Sequence, residues 1–302
     1  MANFDPDGSG GERLRIQAHA KINLYLDVVG KRPDGYHEIE TIFHSIGLHD
    51  DIYLRRRDDR QITVHCEHPH VPCDPRNLAY RAAKLLLDDT PDLNGVEIKI
   101  VKRIPVAAGL GGGSADAAAV LCGMNALFDL GLTQLELMQL GVQLGADVPF
   151  CILGGAALGR GIGEILTPLP PLEEAWILLA NPGFAISTAW VYQQINLSLT
   201  APKKNVTMLT RYLQNGERFS IMRHLYNGLE VPVLSKYPAV AEIKTKLGNC
   251  PGSCGVLMSG SGATVFAFMH SQAQAELAAV NFEDDFAFCS ATPMSSVGVR
   301  IS

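Results

Sequence analysis

Hydrophobic and polar positions alternate from Leu14 onward. LRIQAHAKINLYLDV reads as a strand, GKRPDGYHE as the turn after it, and IETIFHSI and DDIYLRRR as further strand. Pro33-Asp34-Gly35 supplies the turn chemistry. Gln61–Cys66 is a short strand, and Asn77 opens a helix, NLAYRAAKLLLDD, with Leu78, Ala82, Leu85 and Leu86 on one face. After a break at Pro91–Gly95, VEIKIVKRI alternates as a strand. A Gly-rich loop, Ile104 to Asp116, then runs directly into the Ala-rich helix AAAVLCGMNALF, closed near Gly131. Thr133 with Glu136 spells a capping box for a further helix that stops at Gly145. Strands are expected around Cys151–Leu158 and Glu164–Leu166. Beyond the PLPP segment at Pro168–Pro171 come a strand (AWILLANP), helices near Thr188–Ile195 and Ala239–Leu247, and a strand–turn–strand in VLMSGSGATVFAFM.

This order mixes helix and strand without regular βαβ alternation, which predicts an α+β fold. The 302-residue length suggests two domains. Composition divides the chain into a flexible tail at 1–12, a first domain at 13–167 and a second at 168–302. The formal charge of −6 argues against a general nucleic-acid binder. No apolar run approaches the roughly 18 residues needed to span a bilayer, which argues against a membrane protein. The N-terminus lacks the pattern of a signal or transit peptide. Seven cysteines, odd in number and irregularly spaced, fit reduced thiols and a cytoplasmic location.

The chemistry concentrates in the Gly-rich loop. The first turn of a helix carries N–H groups without intrahelical partners and the positive end of the macrodipole, so it suits an anion. Gly109, Gly111, Gly112 and Gly113 remove side chains from its approach and allow positive φ. Ser114 can cap the helix or reach a phosphate or a metal ion, and Asp116 is placed in the first turn. The plain alternative is a tight strand-to-helix turn. A Walker A loop would need a lysine here, a dinucleotide fingerprint would need glycine where Ser114 sits, and the protein-kinase motifs are missing.

Pro105 followed by GLGGGSADAAA resembles the phosphate loop of the GHMP kinases, the small-molecule kinases named for galactose, homoserine, mevalonate and phosphomevalonate. Four further segments match in family order: Ala20-Lys21-Ile22-Asn23-Leu24, Arg32-Pro33-Asp34-Gly35-Tyr36-His37-Glu38, Gly145-Ala146-Asp147-Val148-Pro149-Phe150 and Gly260-Ser261-Gly262-Ala263-Thr264-Val265-Phe266. Together they are similar to the branch that phosphorylates the 2-hydroxyl of 4-diphosphocytidyl-2-C-methyl-D-erythritol in the non-mevalonate route to isoprenoid precursors.

The resemblance implies a half like domain 2 of ribosomal protein S5, a ferredoxin-like half, and a site in the cleft between them. It implies ATP with Mg²⁺, a small cytidylyl substrate, and a monomer or weak homodimer. Asp147 matches the family's base and Lys21 its assisting lysine. Pro105, Gly109, Leu110, Gly111, Gly112, Gly113, Ser114 and Ala115 would hold ATP, with Asn77, Leu78 and Lys102 beside the adenine. Asn23, Tyr36, His37, Phe43, Tyr192, Gly260 and Ser261 would meet the substrate.

Each has a structural alternative. Lys21 reads also as a snorkelling surface lysine, Asp147 as a helix cap or turn residue, and Asn77 as an N-cap. The aromatics read as packing and the Gly260 turn as a hairpin. Another GHMP kinase, acting on mevalonate-type, homoserine or sugar substrates, is the rival within the family; a nucleotide-binding regulator is the rival outside it. His65, Cys66, His68, His70 and Cys73 crowd together, but their spacing matches no standard zinc site, and no dedicated protein metal site is expected. Cys250 and Cys254 stand one residue too far apart for a redox pair and are expected in a loop.

Overall fold

The computed structural model describes residues 13–195 and 206–302; the tail expected at 1–12 lies outside them. The opening alternation becomes two long strands. β1 (Arg13–Lys31) and β2 (His37–Arg56) pair antiparallel, from Arg13 against Arg55 to Lys31 against His37. Gly35, at φ +89°, closes their connection, where Asp34 Oδ1 accepts the Tyr36 amide at 3.1 Å.

β3 (Ile62–Cys66), α1 (Leu78–Asp89), β4 (Val96–Val101), α2 (Gly112–Leu127), α3 (Gln134–Val142), α4 (Val148–Leu153), β5 (Ala156–Arg160) and β6 (Ile165–Leu169) follow. Then come β7 (Trp176–Asn181), α5 (Thr188–Gln193), α6 (Val206–Gln214), α7 (Arg218–Arg223), β8 (Tyr226–Asn227), α8 (Glu230–Lys236) and α9 (Pro238–Gly248). β9 (Ser253–Met258), β10 (Val265–Met269), α10 (Gln272–Asn281), β11 (Phe288–Pro293) and β12 (Val299–Ile301) complete the order.

The first sheet runs β12-β1-β2-β4-β3, with β5 joined to Thr41–His44 of β2, β6 joined to β5, and β8 parallel to β1. The second runs β11-β7-β10-β9, antiparallel throughout. With α9 and α10 packed on it, its β-α-β-β-α-β connectivity is the ferredoxin-like half that the resemblance implies. The first sheet reaches Leu169 and takes back β8 and β12 from late in the chain.

Period-2 alternation joins the two halves. Ile177, Leu179, Phe266 and Phe268 face the core of the first sheet, while Leu178, Ala180, Val265 and Ala267 face the core beneath α9 and α10. Burial on both faces explains why these strands read as unbroken apolar runs. α2 lies directly on β1 and β2 because its residues are small: a Cβ on Gly123 would come within 2.5 Å of Ile16 Cδ1.

Two strand assignments need correction. β4 stops at Val101 rather than running to Ile104, because the buried Asp50 carboxylate takes the amides of Arg103 and Ile104 at 2.5 and 2.9 Å. The strand expected over Cys151–Leu158 is helix to Leu153: Pro149 suits a first helical turn, and Gly154 and Gly155, both at positive φ, separate the helix from β5. Cys254, expected in a loop, lies in β9.

Candidate active site

At the start of α2 the geometry is set by two glycines. Gly111, the N-cap, sits at φ +71° and no side chain caps the helix. The first intrahelical bond runs from the Ala115 amide to Gly111 O at 2.9 Å, so the amides of Gly112, Gly113 and Ser114 precede the ladder. A Cβ on Gly109, at φ +79°, would lie 2.3 Å from Ser259 O, and one on Gly111 would lie 2.9 Å from Lys21 Cγ. Glycine is therefore required here by close approach as well as by conformation. Ser114 lines the cavity and does not cap the helix. Asp116 is not in the first turn: it is buried one turn further on, 2.9 Å from Lys102 Nζ. Burial pushes its carboxyl up to about 7, against the pull of that lysine.

Lys21 is no snorkelling lysine; it is 5% exposed. Its main-chain amide bonds Leu110 O at 3.0 Å, tying β1 to the loop. Its Nζ donates to Asn23 Oδ1 at 3.0 Å and stands 3.2 Å from Asp147 Oδ2, with the Phe43 ring 5.3 Å away. A buried ammonium needs such partners. Asp147 occupies the N-cap position of α4 but makes no cap bond, which leaves its partly exposed carboxylate directed at Lys21.

These groups line one end of a cavity of about 760 Å³, together with Gly109, Gly111 and Ser114. At the other end stand Tyr36, 62% exposed, and His37, whose ring centroid is 5.3 Å from that of Tyr192. Partial burial and the charge of Lys31 hold His37 below the ordinary imidazole value, so it is neutral at pH 7. Burial, then the charge of Asp147, raise the Tyr192 phenol, which stays protonated. Phe43 stacks on Phe150 at 4.9 Å and offers the cavity a fixed wall.

Gly260 and Ser261 also line the cavity, on a turn held against the glycine loop. Ser259 Oγ donates to Gly109 O at 2.9 Å, and Asn227 Nδ2 donates to Met258 O and Gly260 O, each at 2.8 Å. Thr188 Oγ1 meets Ser261 Oγ at 2.8 Å.

Other residues singled out from the sequence do not line the cavity. Pro105, Leu110, Gly112, Gly113 and Ala115 form the loop and its backing. Asn77 is fully engaged as an N-cap, accepting the Ala79 amide at 2.8 Å and donating to Pro72 O at 2.7 Å. The neighbouring Leu78 packs under Gly113. Lys102 is buried between Asp50 and Asp116. The sequence reading missed Thr188, Ile186 and Gln193, which line the cavity around α5; a Ser187 cap marks that helix but nothing there marks a site. Among the described residues no group of three or more His, Cys, Asp or Glu gathers to hold a metal ion. His65 Nε2 instead meets Glu97 Oε1 at 3.1 Å.

The match to known proteins covers both halves. The model of the GHMP kinases N terminal domain matches residues 77–155, and that of the GHMP kinases C terminal domain matches 209–287. A 4-diphosphocytidyl-2-C-methyl-D-erythritol kinase of Acetivibrio thermocellus is 46% identical over 267 residues, 88% of this chain and 94% of that protein. Its counterpart in Nostoc punctiforme is 47% identical over 278 residues, 86% of this chain and 88% of that one. A crystal structure of 4-(cytidine 5'-diphospho)-2C-methyl-D-erythritol kinase superimposes with a TM-score of 0.80 at 34% identity, covering 93% of this chain and 99% of that one. A homoserine kinase from Cytophaga hutchinsonii, 19% identical, shares the fold with a TM-score of 0.78 over 99% of this chain and 100% of that one. Matched in both halves by the family's domains, and 46% identical to a relative over 88% of its length, the chain belongs to the GHMP kinases, in the 4-diphosphocytidyl-2-C-methyl-D-erythritol kinase family.

Proposed function

We propose that this enzyme transfers the terminal phosphoryl group of ATP to the 2-hydroxyl of 4-diphosphocytidyl-2-C-methyl-D-erythritol. The observation that carries the reading is the 3.2 Å approach of Lys21 Nζ to Asp147 Oδ2 at the mouth of the glycine loop, in the same cavity as the His37–Tyr192 pair. Phosphoryl transfer asks little covalent chemistry of the protein; positioning and charge stabilisation dominate. The amides at the start of α2 hold the phosphates. Asp147 accepts the proton of the attacking hydroxyl as its oxygen bonds to the terminal phosphorus and ADP leaves. Lys21 orients Asp147 and steadies the charge that develops on the transferred group. Tyr36, His37 and Tyr192 hold the cytosine, whose ring offers a face for stacking and an edge for hydrogen bonds.

Mg²⁺ accompanies ATP in this reading. The oxygen donors at the phosphate end, the Ser114 hydroxyl and the Asp147 carboxylate, suit a hard cation that keeps most of its ligands from phosphate and water, and the ion would neutralise phosphate charge there. In this reading the enzyme works in the cytoplasm as a monomer or weak homodimer, with its seven cysteines as free thiols. No helix among the described residues is long and apolar enough to cross a membrane. The two matched regions fall on either side of the proposed division at 167/168, while β6 crosses that point and β8 and β12 return to the first sheet.

An ADP-release assay with the cytidylyl substrate, mevalonate, homoserine and galactose tests the substrate. Asp147→Asn tests the chemistry: nucleotide binding is retained while kcat falls by about 10² to 10⁴-fold. Unchanged turnover would remove Asp147 from the mechanism.

A further inference from the structure

The direction of the Lys21 ammonium is set from outside the cavity. Thr41 on β2 is fully buried, and its hydroxyl donates to Tyr25 O at 2.7 Å. A carbonyl only accepts, so the single proton of this hydroxyl is committed there. Toward Asn23 the same oxygen can act only as an acceptor. Asn23 therefore turns its Nδ2 to Thr41, at 2.8 Å, and its Oδ1 to Lys21 Nζ, at 3.0 Å. The opposite amide orientation would set NH₂ against an ammonium and a carbonyl oxygen against a hydroxyl whose proton is spent.

A register shift in the long hairpin builds this chain. Between the pairs Asn23–Phe43 and Tyr25–Ile42, β1 carries one extra residue. The bulge changes which residues share a face, and it brings Thr41 alongside Asn23. The Thr41 methyl packs toward Gly159, where a Cβ would stand 3.0 Å from it. Two of the three Lys21 N–H groups then point at Asn23 and Asp147, which leaves the third for the transferred phosphoryl group.

We infer that Thr41 is a positioning residue for phosphoryl transfer, acting through the Asn23 amide to fix how the Lys21 ammonium meets Asp147. The inference rests on Lys21 and Asp147 serving as proposed above. Thr41 does not line the cavity, so its hydroxyl is expected to influence kcat rather than KM.

Steady-state kinetics on the full chain, with ATP and the cytidylyl substrate, test this. Thr41→Val keeps the β-branched shape and removes the hydroxyl; kcat is expected to fall about tenfold with both KM values within about twofold. Thr41→Ser keeps the hydroxyl and is expected to stay within about twofold of wild type in kcat. In an Asn23→Leu background, Thr41→Val is expected to cost nothing further, because the residue through which it acts is gone. Should the valine variant fail to fold, Thr41→Ala is read in its place. An unchanged kcat in the hydroxyl-free variant, or equal losses with valine and serine, would overturn the inference while leaving the Asp147 reading intact. A wild-type enzyme without activity on the cytidylyl substrate would overturn both.

Discussion

The two ends of the cavity are built on different principles. At the end proposed to bind phosphate the groups are main-chain amides, a buried lysine and a carboxylate, held by neighbours within hydrogen-bond reach: Leu110 O on the Lys21 amide, Asn23 on its Nζ, Ser259 on Gly109 O. At the base end they are side chains on the β1–β2 connection and on a six-residue helix, with Tyr36 largely exposed and the His37–Tyr192 contact a tilted one. In the proposed reaction the end that steadies developing charge is the preorganised one, which saves reorganisation at the moment of reaction. The end proposed to admit and release the cytosine ring is open, and selectivity there would rest on stacking.

Substitution at the rigid end should be costly out of proportion to its size. Gly111→Ala places a methyl at positive φ, 2.9 Å from Lys21 Cγ, and is expected to lower kcat by on the order of 10² to 10³-fold, read by ADP release. A loss below threefold would mean that this end is less rigid than its contacts indicate.

Acid probes the same contrast through two histidines. His44, beside Phe43, is sealed in: Nδ1–H donates to Ser45 O and Nε2 accepts the Leu172 amide, both at 2.7 Å. Burial pushes its pKa down to about 4, with the Ser45 carbonyl opposing. Between pH 6.5 and 4 the unfolded chain binds a proton at His44 that the folded chain refuses. Stability therefore falls as pH drops through that window, by about 3 kcal/mol at its lower limit. Urea midpoints across the window measure this, and His44→Gln should flatten the slope; an unaltered slope would assign the acid sensitivity elsewhere. His37, at the open end, is also held below the ordinary imidazole value, by partial burial and the charge of Lys31.

The smallest effect belongs to the open end. Tyr192→Ala is expected to raise KM for the cytidylyl substrate about tenfold while leaving KM for ATP within about twofold. Equal changes in both constants would show that the two ends are not separable.

Legibility followed the same division. The phosphate end was readable because its parts are contiguous: glycines followed by small residues leave few alternatives to an anion cradle. Lys21 and Asp147 carry no such local signal, and their roles came from the resemblance; the strand and helix cap around them are ordinary in sequence. The pairing of His37 with Tyr192 depends on placing residues far apart in the chain side by side. Thr188 with Ser261 is less visible still, since a hydroxyl at the start of α5 and one in the β9–β10 turn share no periodicity. Asn77 and Lys102 show the converse. Their residue types suit a ligand, yet burial commits one to a helix cap and the other to two carboxylates. Of the fold, the long hairpin, α1, α2 and α3 were legible from periodicity and capping. β8 and β12 were not, being too short to have a period and defined only by the strand they join.

β12 carries support to a distant part of the fold. It pairs with Ile16–Ala18, and the Gly298 just before it packs so tightly on Cys151 and Gly154 that a Cβ there would meet Cys151 O at 2.0 Å. The helix that begins beside Asp147 is thus wedged in place by a residue far from it in the chain. A side chain at position 298 would therefore be felt at the Asp147 carboxylate, although Gly298 does not line the cavity.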